Sequence, residues 1–166
     1  MSAALVKELR ERTGLGLLEC KKALAAAGGD VEVAIEELRK SSGMKAAKKA
    51  GRTAADGVVS MRITADGTSG VIGEVNSETD FVARDENFLG FVNQVMDAAV
   101  AAQTDDVTAI AGGDVETSRQ ALVQKIGENI TIRRSEIIED ADASVSNYIH
   151  GNKKIGVLLA VSGGDG

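Results

Sequence analysis

Glu78, Asp80, Asp85 and Glu86 fall within nine consecutive residues. Paired carboxylates are what general acid–base hydrolysis needs, although acids at a helix start more often complement the helix dipole. Among them stands Phe81, in the stretch Glu74-Val75-Asn76-Ser77-Glu78-Thr79-Asp80-Phe81-Val82-Ala83-Arg84. This sets an aromatic ring directly beside a carboxylate where a strand gives way to a helix. Such a ring has two destinations. It can tuck into its own core at the helix N-terminus, or it can enter a partner's pocket. There its buried area contributes about 2 kcal/mol or more, and the adjacent anion orients it by hydrogen bonds.

Other chemistry is largely excluded. No GxxxxGK[ST] phosphate loop occurs. Gly14-Leu15-Gly16-Leu17-Leu18-Glu19 begins like a dinucleotide fingerprint, but it puts Glu19 in place of the third glycine and joins two predicted helices. Asp140-Ala141-Asp142-Ala143-Ser144 opens like a calcium loop, yet Val145 replaces the obligatory glycine and Gly151 the bidentate glutamate. One histidine, His150, and one cysteine, Cys20, cannot build a zinc site. Cys20 sits at helical spacing from Leu17 and Leu24 and reads as core, so a Cys/His nucleophile pair is not expected. His150 precedes Gly151-Asn152-Lys153 and reads as an exposed residue at a hairpin tip. No catalytic residue, metal or cofactor is assigned.

The 166 residues suffice for one domain or two small ones, with no apolar run long enough to span a membrane and no secretory signal at the start. Cytoplasm is the expected location. A net charge of −6 argues against broad nucleic-acid binding, DNA included. The charge is uneven: residues 1–52 hold eleven Lys/Arg and seven Asp/Glu, the remainder eight and eighteen. Scarce aromatics make base-stacking platforms improbable.

The elements that must position these residues follow from periodicity and punctuation. Ser2 caps a first helix with Leu5, Val6 and Leu9 on one face, ended by Thr13-Gly14. A second helix runs from Leu17 to Gly28-Gly29, and Asp30 caps a third with Val31, Ala34, Ile35 and Leu38 inward. Residues 39–52, with Arg39, Lys40, Lys45, Lys48, Lys49 and Arg52 and no acid among them, read as a mobile, basic helical linker. From Gly57 the period becomes two, and Asp66-Gly67 turns one strand into the next. Asp85 caps a long helix with Phe88, Phe91, Val92, Val95, Met96 and Ala99 on one side. After a looser stretch, Asp114 or Thr117 opens a helix that Gly127 stops. Strands follow at about 129–138, 143–150 and 154–162, the last apolar on both faces and therefore expected at the centre of the sheet. The class is α+β: a three-helix bundle and linker over 1–52, then an antiparallel-rich sheet packed with helices over 53–166.

Leu5 to Gly14 continuing through Glu19 to Leu24, Lys45 to Arg52, and Glu74 to Arg84 together resemble the bacterial elongation factor Ts family, the nucleotide-exchange factors of elongation factor Tu. Lys125 to Ile130, Tyr148 to Gly151 and Ile155 to Leu158 extend the likeness over nearly the whole chain. The resemblance implies a ubiquitin-associated-type head docking on the partner's GTPase domain, with Arg12, Leu17, Leu18 and Lys21 in the contact region. It also implies that Asp80 and Phe81, completed by Val82 and Ala83, form a wedge that enters between two helices of the GTPase and disturbs its magnesium and phosphate contacts. Ile126, Gly127 and His150 match further contact positions. Transient association with the ribosomal elongation machinery is implied as well. Members usually continue with a second core subdomain, often a helical-hairpin insertion, and sometimes a C-terminal helical module. A chain ending at Gly163-Gly164-Asp165-Gly166 therefore reads as a truncated or short form with weaker exchange.

Two other readings compete with a non-enzymatic exchange factor. One is a module that tethers an acidic body to ribosomal RNA through the basic run at 39–52. The other is a carboxylate hydrolase built on the acids around Asp80.

Overall fold

The computed structural model describes residues 2–163; Met1 and residues 164–166 of the glycine-rich end lie outside it. Helix α1 (Ala3–Thr13) starts where Ser2 Oγ accepts the Ala4 N–H at 3.2 Å, and it ends at left-handed Gly14. Helix α2 (Leu17–Ala26) follows after Gly14, Leu15 and Gly16. Asp30 Oδ1 then accepts the N–H groups of Glu32 and Val33, opening α3 (Val31–Lys49). Val6, Leu9, Leu15, Cys20, Leu24, Ala34 and Leu38 meet in one apolar cluster. Cys20 is fully buried there, as its spacing predicts.

The segment expected to be a mobile linker is helical but not free, since residues 39–49 complete α3 without a break. Its small residues explain this. Ser42 and Ala46 are buried, and Ala46 belongs to the larger core of the rest of the chain. Ser42 Oγ donates to Gln124 of α6 (Gly113–Ile126), and alanine-sized side chains let the two helices approach closely. A weak apolar stripe here reflects close packing against a helix rather than exposure.

The rest of the molecule is built on β1 (Asp56–Ile63), β2 (Ser69–Ser77) and β3 (Thr131–Glu139), antiparallel in the order β1-β2-β3. Val58 pairs with Val75 and Arg62 with Val71, so these residues share one face of the sheet. Val58, Val71 and Val75 join Phe88, Phe91, Val92, Val95, Met96 and Ala99 of α4 (Glu86–Ala102) in the main core. Gly73 permits that approach, because a Cβ there would lie 2.4 Å from Met96 Cε. A short helix, α5 (Val107–Ile110), occupies the stretch read as loose and buries Ile110. Helix α6 starts at Gly113, earlier than either expected cap, with no side-chain cap at all.

The last run, β5 (Gly156–Ser162), is not central. Among the described residues it pairs only with β4 (Ala143–Ile149), in a separate two-stranded sheet. The ribbon lies against the face of the three-stranded sheet opposite α4. A Cβ on Gly70 would meet Leu158 and Val145, and one on Gly156 would meet Met61, Val59 and Ile72. Val157, Leu159 and Val161 point the other way and stay more than half exposed. Apolarity on both faces states what each face prefers to touch. It does not state how many strands lie alongside.

Candidate partner-binding site

Strand β2 ends at the fully buried Ser77, and the chain turns through Glu78–Phe81 into a 3-10 turn (Val82–Arg84) before α4. The base of this turn is anchored in the core: Ala83 is buried and Val82 packs against the same cluster. Its apex is not, since the Phe81 ring is 80% exposed. Of the two destinations open to that ring, its own core is excluded. Asp80, beside it, is half-exposed, and its Oδ2 accepts from Arg84 at 2.8 Å.

Polar contacts hold the turn from below. Glu128 Oε2 accepts the N–H groups of Glu78 and Thr79, each at 3.0 Å, and its Oε1 accepts the Thr79 hydroxyl at 2.7 Å. In return Glu78 Oε1 accepts the Asn129 N–H at 2.6 Å, and Arg52 lies 3.5 Å from the same carboxylate. Asn129 is nearly fully buried and donates Nδ2 to the carbonyls of Arg52 and, at longer range, Ala50. The chain leaving α3, the turn carrying Phe81 and the chain leaving α6 are thus tied together. Gly127 makes this reachable, since its left-handed conformation (φ 89°) ends α6 and redirects the backbone toward Glu128 and Asn129.

Ile126 and Gly127 therefore sit beside the Phe81 turn, brought there by residues about fifty positions away in sequence. The helical head adjoins the same region. Lys125 of α6 lies against Gly14, where an added Cβ would fall 2.9 Å from its Nζ, and donates to Asn87 in the first turn of α4 at 2.7 Å. Just beyond Gly14, Leu17 and Leu18 are exposed at the start of α2, with Lys21 exposed one turn on. Arg12, at the end of α1, forks onto Glu32 and approaches Glu8, and these pairings, the Glu32 hydrogen bond foremost, push its guanidinium pKa further up.

His150 is exposed at the tip between β4 and β5, hydrogen-bonded to the Tyr148 hydroxyl at 3.0 Å. The tip is fastened to the start of β1: Lys153 O accepts the Val59 N–H at 2.8 Å, and Lys154 Nζ reaches Asp56 at 2.6 Å. Asp56 pairs with Ser77, so His150 lies at the end of the sheet from which the Phe81 turn departs. Among the described residues it makes no hydrogen bond to the Glu128 cluster.

Of the carboxylates around Asp80, Glu78 and Asp85 are committed to structure and Glu86 is exposed at the start of α4. Asp85 caps α4, accepting from the N–H groups of Asn87 and Phe88 at 2.8 and 3.2 Å. A side-chain hydrogen bond from Asn87 and those backbone bonds hold its pKa below the ordinary value, the wrong direction for a proton donor. Half of the basic run is paired: Lys40 with Glu36 and Glu37, Lys45 with Glu19, Arg52 with Glu78. Among the described residues no group of three or more His, Cys, Asp or Glu is placed to hold a metal ion, and no helix is long and apolar enough to cross a membrane.

The pairing of Glu78 and Thr79 with Glu128 and Asn129 is not visible in a residue-by-residue reading. An acid directly after a helix-stopping glycine was the available signal, but nothing local names a partner some fifty residues distant.

Comparison with known proteins gives a consistent result. A family model described as Elongation factor TS matches residues 78–166. The elongation factor Ts of Saccharophagus degradans is 59% identical over 165 residues, covering 99% of this chain and 57% of the relative. That of Hahella chejuensis is 60% identical over 165 residues, with the same coverage. That of Arthrospira platensis is 57% identical over 171 residues, covering 99% of this chain and 68% of the relative. The chain thus spans little more than half the length of the first two.

Proposed function

This chain belongs to the elongation factor Ts family, and on that premise we propose that it is a non-catalytic guanine-nucleotide exchange factor of translation elongation. It binds GDP-loaded elongation factor Tu in the cytoplasm, in transient association with the ribosomal elongation machinery, and promotes GDP release so that GTP can follow. It requires neither cofactor nor membrane nor DNA.

The observation that carries this reading is the Phe81 ring, 80% exposed on a turn whose base is anchored in the core. Large apolar side chains on tight polar turns are poorly accommodated in water, and a pocket in a partner removes that surface. Inserted between two helices of the GTPase near its nucleotide site, the ring and the Asp80 carboxylate displace groups that hold magnesium and phosphate. GDP is retained mainly through those contacts, so its affinity falls steeply without bond-breaking chemistry. Val82 and Ala83 are the footing of the wedge.

The head, residues 1–52, acts as a ubiquitin-associated-type module and the rest, 53–166, as the core. Arg12, Leu17, Leu18 and Lys21 dock on the GTPase domain, with Ile126, Gly127 and His150 as further contacts. Reciprocity follows from linkage: binding that weakens GDP is itself weakened by GDP to the same extent. The internal pairing of Lys40, Lys45 and Arg52 leaves Arg39, Lys48 and Lys49 to carry an RNA tether, which makes that the weaker reading.

The test is release of a fluorescent GDP from elongation factor Tu, followed by stopped flow. Phe81→Ala is expected to lower stimulated release by about tenfold or more while leaving thermal unfolding nearly unchanged. Undiminished release would end the wedge reading.

A further inference from the structure

We infer that Glu128 is a positioning residue for the wedge: its carboxylate clamps the Glu78–Thr79 backbone so that Phe81 is presented in one orientation before any partner arrives. The inference rests on the reading of Phe81 given above and assigns a role to a residue that contacts the turn rather than the partner.

The geometry is specific. One carboxylate oxygen accepts two successive backbone N–H groups at 3.0 Å each, and the other takes the Thr79 hydroxyl at 2.7 Å. Hydrogen bonds to an ionised acceptor are the stronger kind, and two adjacent amides converging on one oxygen fix the direction of the peptide between them. The clamp is mounted on a rigid element, because Glu128 directly follows the left-handed Gly127 that ends α6, and α6 lies in the main core. Glu78 returns the contact by accepting the Asn129 N–H at 2.6 Å, so the turn and the α6 exit cannot slide past each other without losing both. Downstream of Phe81, Ala83 in the core fixes the other end. Apolar contacts hold one side of the ring's turn and a polar clamp holds the other.

An unclamped turn would sample many orientations and lose that freedom on binding, which weakens association without removing any contact. Ile126 and Gly127 adjoin the clamp, so a partner pressing on them acts on the same support.

The decisive experiment measures GDP release from the GTPase with wild type, Phe81→Ala, Glu128→Ala, Glu128→Gln and the double variant Phe81→Ala/Glu128→Ala. Amide hydrogen exchange at Glu78 and Thr79 is followed in the chain alone. Glu128→Ala is expected to slow stimulated release by about tenfold and to speed exchange at those two amides, with the rest of the core still protected. Glu128→Gln keeps an oxygen for the two amides and turns its amide group toward the Thr79 hydroxyl, and it is expected to restore release to within about threefold of wild type. The double variant should release GDP no more slowly than Phe81→Ala alone, the non-additivity expected of groups that act through one another. Should Glu128→Ala unfold, Thr79→Val removes one bond of the clamp, together with the longer 3.4 Å bond from the Val82 N–H, and carries the same comparison with a smaller loss.

Full additivity in the double variant, or normal release by Glu128→Ala where Phe81→Ala is impaired, overturns the inference and leaves the wedge standing. A silent Phe81→Ala removes the wedge itself. Faster exchange at Glu78 and Thr79 in Glu128→Ala would then still show the clamp, but not its role in presenting the ring.

Discussion

Phe81 and Phe88 are seven residues apart and chemically identical, yet one is 80% exposed and the other fully buried. Phe88 lies in the first turn of α4, on the stripe that meets β1 and β2, and it is held by its apolar neighbours. Phe81 rises from a turn held by carboxylates and backbone amides, with no apolar cover of its own. A ring buried among apolar side chains contributes to folding. A ring carried by a polar clamp contributes little to folding and remains available for another surface. The exposed face of β5 is a third case, with apolar area spread over a pleat and no comparable clamp to aim it.

The contrast should be sharpest in thermal or denaturant unfolding of paired alanine variants. Phe88→Ala leaves a cavity in the main core and should cost about 3–5 kcal/mol, whereas Phe81→Ala should shift stability by less than about 0.5 kcal/mol. Comparable losses would mean that the two rings are not held differently. A smaller effect is expected at Asp85, which separates the two regions and caps α4. Asp85→Ala should cost about 1 kcal/mol and speed amide exchange at Asn87 and Phe88, while the amides of Glu78 and Thr79 stay protected by Glu128. Loss of protection at all four would show one cooperative unit instead of two.

The smallest effect concerns the junction with the helical head, and it depends on pH. Burial works against the Glu19 charge, but hydrogen bonds from Lys45 and Gln124 outweigh it and hold its pKa below the ordinary carboxylate value. A pKa lowered by folding means that the stabilisation is present above the unfolded-state value and is lost as pH falls through the folded-state value. Glu19→Gln should therefore lower Tm modestly at neutral pH, and the gap from wild type should close in acid. A gap that widens in acid would mean that this contact does not help to hold α2, α3 and α6 together.

Much of the architecture was legible because its causes are local. Ser2, Asp30 and Asp85 announce helix starts through side chains that reach the next turn, and Gly14 and Gly127 announce stops through a conformation other residues resist. The hairpin around Asp66-Gly67 and the α4 stripe are equally plain. The start of α6 was misplaced because Gly112 provides no side-chain cap to read. Residues 39–52 read as a mobile helical linker because Ser42 and Ala46 carry little hydrophobic signal, although small size is what the helix contact of α3 requires there.

What the amino-acid order determined by itself is most of the elements, the short α5 apart, many of their boundaries to within a few residues, and the presence of a ring and a carboxylate together at a strand-to-helix turn. Those depend on backbone conformation and on contacts between near neighbours in the chain. Only the tertiary structure decided that β5 lies in a ribbon beside the main sheet, that the Phe81 ring faces outward, and that Glu128 and Asn129 hold the turn beneath it. These outcomes depend on groups from about fifty to almost a hundred residues apart meeting in space, and for the clamp the trace in the local pattern is an acid after a glycine.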